Sequence, residues 1–182
     1  GELRPGISYK DSHFLVFGHS QAGAYGRNLK RKIEGKGGRV TRRVHSGNAD
    51  YGPIKKNPGL VNLIKKVSRK KYTHAYLFLG GNTGAKGPDY NRSKEKIIDY
   101  VVNSLKVPKK NIVVVLPPIN VDNKYSRSRT DLNERATAFF NSLGVKVHPP
   151  VIGSADDFRS DGVHIKTDSE LIDVASSNMM NN

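Results

Sequence analysis

The sequence predicts an α/β protein: a parallel sheet of five strands with helices packed on both faces. Three observations predict it. Short apolar runs alternate with segments whose apolar residues recur at helical spacing, strand and helix by turns, five times over. Two of the runs, residues 75–79 and 112–116, are continuously apolar, as strands covered on both faces must be. Polar stretches rich in Gly, Pro and Asn punctuate the rest.

The elements follow in order. Residues 13–17 read as a buried strand. Ala22, Tyr25, Leu29 and Ile33 then mark one face of a helix that ends in Gly35 to Gly38. Residues 39–45 alternate Val with basic residues and predict a more exposed strand. Leu60, Val61, Ile64 and Val67 mark a second helix, and residues 75–79 a central strand. Ile97, Ile98, Val101, Val102 and Leu105 are helical, with Pro108 just beyond. Residues 112–116 form the clearest buried strand, closed by Pro117 and Pro118. Leu132, Ala136, Phe139, Phe140 and Leu143 make a helix that Gly144 stops, and residues 145–147 a last short strand. Leu171, Ile172, Val174 and Ala175 predict a terminal helix. Residues 48–59, 83–92 and 119–130 are expected as loops that wall a ligand site. One domain spans 1–182, with 1–12 and 177–182 as peripheral tails.

Three of the chemistry-bearing blocks sit where strands end, and the fourth lies in the region after the last strand. Gly18-His19-Ser20 closes the first strand and opens a helix, which puts a serine on a sharp turn with its hydroxyl exposed. Asp161-Gly-Val-His164 offers a base with a carboxylate three residues before it. A serine hydroxyl becomes a nucleophile only when a base takes its proton, and the base needs an orienting partner. Each residue also has a plainer reading. Ser20 fits a helix cap, Asp161 a turn, and the Gly47-Asn48 and Gly81-Asn82 pairs ordinary turn chemistry. In α/β sheets with right-handed crossovers the loops after the strands share one edge, where ligands bind. Ser20, Gly47, Asn82 and the segment carrying Asp161 and His164 all fall there. Residues 80–87 lack the Gly-Lys-Ser/Thr ending of a phosphate loop, and no metal-ligand spacing occurs, so no cofactor is expected.

Four blocks therefore stand in order: Gly18-His-Ser20, Gly47, Gly80-Gly-Asn82 and Asp161-Gly-Val-His164. Together they resemble the SGNH hydrolases, the GDSL-type esterases and lipases, over residues 13 to 166. The resemblance implies a three-layer α/β/α sandwich of the flavodoxin-like kind. It implies Ser20 as nucleophile, His164 as base and Asp161 as its partner. It implies an oxyanion hole from the backbone N–H groups of Ser20 and Gly47 and the side chain of Asn82. His19 and Thr83 stand where that family usually has aspartates.

Composition bounds the function. With no cysteine among 182 residues, disulfides, thiolate metal sites and cysteine catalysis are excluded. No apolar run is long enough to span a bilayer. The net charge is +15, and residues 27–71 carry 15 Lys/Arg against Glu34 and Asp50. That stretch is expected to form a basic face, either attracting an anionic polymer or merely solubilising the protein. Two functions fit these features. One is a serine esterase removing an acyl group, acetyl above all, from a carbohydrate or cell-envelope polymer, in an envelope or phage-particle setting. The other is a catalytically weak module of the same fold that binds a polyanion, such as nucleic acid or an envelope polymer, or serves as part of an assembly.

Overall fold

The computed structural model describes residues 8–82 and 89–181, without the side chains of residues 89 and 90. Alternation along each strand organises the core. In β1 (His13–Gly18), Phe14 and Val16 point to one face of the sheet and Leu15 and Phe17 to the other, all buried. Each face then recruits its own helices. Leu29 and Ile33 of α1 (Gln21–Gly35) and Ile172 and Met179 of α5 (Glu170–Met180) pack with Phe14 and Val16. Leu60 of α2 (Leu60–Leu63), Ile97 of α3 (Asp89–Asn103) and Phe140 of α4 (Ser126–Ser142) pack with Leu15 and Phe17. The result is the expected three-layer sandwich.

The central sheet has the order β2-β1-β3-β4-β6, all parallel, with β2 at Arg39–Val44, β3 at His74–Phe78, β4 at Ile112–Val115 and β6 at Lys146–His148. β2 is an edge strand, and its Arg39 and Arg43 are exposed there, as charges that discourage further pairing. The chain reverses its direction of travel across the sheet between β1 and β3. Loops after neighbouring strands diverge at such a point and leave a crevice.

The structure corrects four expectations. Residues 119–130 are not all loop: β5 (Ile119–Asn120) pairs in parallel with β7 (Ile152–Gly153), and α4 begins at Ser126. Side-chain turns shorten that loop, since Asn120 Oδ1 accepts from the Asp122 N–H at 3.0 Å and Asn123 Oδ1 from the Tyr125 N–H at 2.8 Å. Within residues 83–92, α3 already begins at Asp89. The final turn of α5 is not peripheral, because Met179 and Met180 are buried and the Tyr76 hydroxyl donates to the Met179 carbonyl at 3.0 Å. Nor do residues 27–71 form one face. Arg42 lies over α1 and donates to the Gly23 carbonyl at 2.9 Å, Lys55 and Lys56 sit in the loop after β2, and Lys70 and Lys71 precede β3 at the opposite edge of the sheet.

Candidate active site

The turn after β1 is dictated by crowding. A Cβ on Gly18 would lie 2.1 Å from the Phe78 carbonyl oxygen, so only glycine lets β1 run this close to the end of β3. The chain then bends through His19 into α1. Ser20 sits at the helix start in right-handed conformation and makes no side-chain cap bond. Its hydroxyl is instead 2.7 Å from His164 Nε2, a residue 144 positions away.

His164 is gripped by Asp161. Asp161 Oδ2 lies 2.7 Å from His164 Nδ1, and Oδ1 accepts the backbone N–H groups of Val163 at 2.9 Å and His164 at 3.0 Å. Desolvation raises the Asp161 pKa, but those two N–H groups and the imidazole outweigh it and hold the carboxyl at about 2. An ionised carboxylate only accepts hydrogen bonds. Nδ1 therefore carries the ring proton, and the Nε2 lone pair faces the Ser20 hydroxyl.

The loop bearing His164 is tied from three sides. The Gly162 carbonyl accepts from Asn120 Nδ2 at 3.2 Å and Asn123 Nδ2 at 3.3 Å, and the Val163 carbonyl from Gln21 Nε2 at 3.3 Å. The Arg159 N–H donates to the His164 carbonyl at 2.7 Å.

The loops after β2 and β3 are tied to each other. Asn82 takes a left-handed φ of 55° and donates through Nδ2 to the Asn48 carbonyl at 3.1 Å. Gly47, with φ 80°, is exposed, and its carbonyl accepts from Asn57 Nδ2 at 3.1 Å. Beneath them lies Asp50, which accepts the Gly80 N–H on both oxygens, at 2.9 and 3.1 Å, and meets Lys94 Nζ at 2.9 Å. Both side chains of this pair are fully buried. Arg129 Nη1 donates to the Gly80 carbonyl at 2.9 Å.

His19 joins the two halves. Its Nδ1 accepts the Gln21 N–H at 3.2 Å, and its Nε2 donates to the Leu79 carbonyl at 3.3 Å. A Cβ on Gly81 would sit 2.8 Å from the His19 ring, so the glycine is what admits the imidazole. Burial pushes its pKa down to about 4, and the ring is neutral at pH 7. Where a carboxylate was the expected residue type, a neutral imidazole braces the turn. Thr83, the other departure, lies outside the described residues.

Ser20, Asn82 and His164 open together into a cleft of about 300 Å³, walled further by Pro117, Pro118 and Tyr125. Gly47 does not line it. Sequence reasoning located Ser20, Asn82, Asp161 and His164 but missed Gln21, Asp50, Lys94, Asn120, Asn123 and Arg129. For Asp50 a signal existed: it is the one acid between Glu34 and Asp89 in a strongly basic part of the sequence, three residues after Gly47. The others act across the fold and leave no local mark. Among the described residues, no group of three or more His, Asp or Glu could hold a metal ion. Among them too, no helix is long and apolar enough to cross a membrane.

No family model matches this chain, and neither does any curated protein sequence. Solved structures do. A GDSL-like lipase from Bacteroides thetaiotaomicron is 15% identical with a TM-score of 0.66, over 96% of this chain and 90% of its own. A member of the lipolytic G-D-S-L family from Veillonella parvula is 15% identical with a TM-score of 0.64, over 94% and 99%. A family two carbohydrate esterase from Clostridium thermocellum, solved with cellohexaose, is 12% identical with a TM-score of 0.65, over 94% and 63%. The chain has the fold of the SGNH, or GDSL-type, hydrolases.

Proposed function

We propose that this protein is a serine esterase that removes an acyl group, acetyl above all, from a carbohydrate or cell-envelope polymer. One observation carries the reading: the continuous relay from Ser20 Oγ through the His164 ring to Asp161, opening into a cleft. A helix-capping serine has no use for such a relay. Ser20 attacks the ester carbonyl carbon while Nε2 of His164 takes the hydroxyl proton. The carbonyl oxygen becomes an oxyanion. The Ser20 backbone N–H and the second N–H of the Asn82 amide stabilise it, the first being held by the Asn48 carbonyl. Gly47, which the sequence offered as a third donor, does not line the cleft, so the reading rests on these two. The imidazolium then passes its proton to the departing sugar oxygen, leaving an acyl-serine. Water, deprotonated by His164, attacks that ester in turn and releases the acid and free Ser20. Asp161, anionic down to about pH 2, keeps the proton on Nδ1 and stabilises the imidazolium.

The substrate class has its own support. Ser126, Ser128 and Arg129 line the cleft and offer hydrogen bonds to sugar hydroxyls. Carbohydrate esterases are among the structural neighbours. The test is hydrolysis of p-nitrophenyl acetate and of acetylated xylan, cellulose and peptidoglycan. We expect release of acetate, with Ser20→Ala and His164→Ala each losing activity by a factor on the order of thousands, because such residues act as a unit. Undiminished hydrolysis by folded Ser20→Ala would overturn the assignment.

A further inference from the structure

The edge of the sheet opposite the cleft carries a second surface with a chemistry of its own. Two adjoining grooves run along the N-terminal ends of the strands. One is lined by Arg69, Lys70, Lys71 and Lys106, without a carboxylate. The other is lined by Arg39, again Lys70 and Lys71, and Glu34. Shared residues make them one channel with five cations against a single acid, and Glu34 is already within 3.8 Å of Lys30. All five cations are exposed. Their fields reach inward, since Arg39 and Lys70 both add to the burial that lowers the pKa of His13. Lys106 adopts a left-handed φ of 62°, where glycine or asparagine would be less strained. Backbone preference therefore does not account for a lysine there.

We infer that this channel binds the phosphate backbone of a nucleic-acid duplex, at a site separate from the esterase cleft. Duplex DNA carries one negative charge per about 1.7 Å of axis, a density that attracts five exposed cations with a single carboxylate among them. Among the described residues, the channel exposes no ring on which an unpaired base could stack. Its two aromatic rings are both buried: Tyr72 is only 3% exposed and spends its hydroxyl on the Ser68 carbonyl at 2.8 Å, and His13 is 7% exposed with Nε2 2.8 Å from Thr41 Oγ1. Contact is therefore with phosphates and independent of sequence. β1 spans the distance between channel and cleft, roughly 20 Å at about 3.3 Å per strand residue. Occupancy of one leaves the other open.

The experiment is fluorescence anisotropy with a 20-base-pair DNA duplex across a salt series. Five phosphate contacts predict a fall in affinity on the order of several hundred-fold between 50 and 200 mM salt. Substituting Gln at Arg69, Lys70, Lys71 and Lys106 together should remove most of that slope. A control with Gln at Arg27, Arg31, Lys55 and Lys56 removes equal charge from α1 and the loop after β2, and should keep most of it. In case the channel variant fails to fold, acetylation footprinting of the unaltered protein provides a second measure. Lys70, Lys71 and Lys106 should be protected by the duplex, and Lys55 and Lys56 should not. Equal losses in channel and control variants would reduce the effect to net charge and overturn the site. So would absent binding at 50 mM salt, or tighter binding of polyglycerol phosphate or a uronate polymer than of the duplex.

Discussion

At the residue scale, the proposed esterase reaction divides labour between groups that would meet substrate and groups that would aim them. Asn82 belongs to the first kind. Its left-handed backbone and its bond to the Asn48 carbonyl fix the amide, so no reorganisation is needed as charge develops on the substrate. Asn82→Ala should lower kcat by roughly a hundredfold with little change in KM, the usual loss for one oxyanion donor. Steady-state kinetics on p-nitrophenyl acetate reads this directly. A change in KM alone would make Asn82 a binding residue. Gln21 and the Asn120–Asn123 pair belong to the second kind, since they touch the backbone that carries His164 and not the reacting atoms.

At the scale of elements, the buried ion pair is the joint between the loop after β2, the loop after β3 and helix α3. Asp50 offers both oxygens to the Gly80 N–H and pairs with Lys94, both side chains being fully out of water. Removing one member of such a pair leaves a buried charge uncompensated, which costs about 3–5 kcal/mol. Asp50→Ala should lower unfolding stability by about that amount in urea titration. Asp50→Ala/Lys94→Met, which removes both charges, should recover most of it. A double variant no more stable than the single would show that the pair is not what Lys94 depends on.

At the scale of the whole molecule, the buried histidines link folding to acidity. Burial is the leading cause of the His19 shift to about 4, whereas an imidazole in the unfolded chain titrates near 6.5. Between those values the unfolded chain binds more protons than the folded one. Stability therefore falls as pH drops from about 6.5 to about 4, by up to about 3 kcal/mol from His19. Burial lowers the pKa values of His13, His45 and His148 as well, so they act in the same direction. His19→Gln keeps an N–H for the Leu79 carbonyl but does not titrate. Denaturant titrations at pH 7 and pH 4.5 should show a smaller difference for this variant than for the unaltered protein. An unchanged difference would locate the linkage in the other three histidines.

Much of this molecule was already decided by local sequence. Apolar spacing is a property of neighbours, so the five central strands and the five helices were legible from runs such as residues 112–116 and from the recurrence of Tyr25, Leu29 and Ile33. The cleft residues Ser20 and Asn82 were legible because each lies where an apolar run ends, and Asp161 and His164 because a carboxylate stands three residues before a histidine. The tertiary structure decided everything that depends on which distant segments become adjacent. Strand order β2-β1-β3-β4-β6 sets Asp50 against Gly80 and Lys94, and closes the gap between Ser20 and His164. The same packing draws Met179 into the core. It also divides one basic stretch, placing Lys55 and Lys56 at one edge of the sheet and Lys70 and Lys71 at the other. Periodicity records how a residue relates to its neighbours along the chain. Burial, pairing and the shape of a charged surface depend on neighbours in space, which are determined only when the sheet assembles.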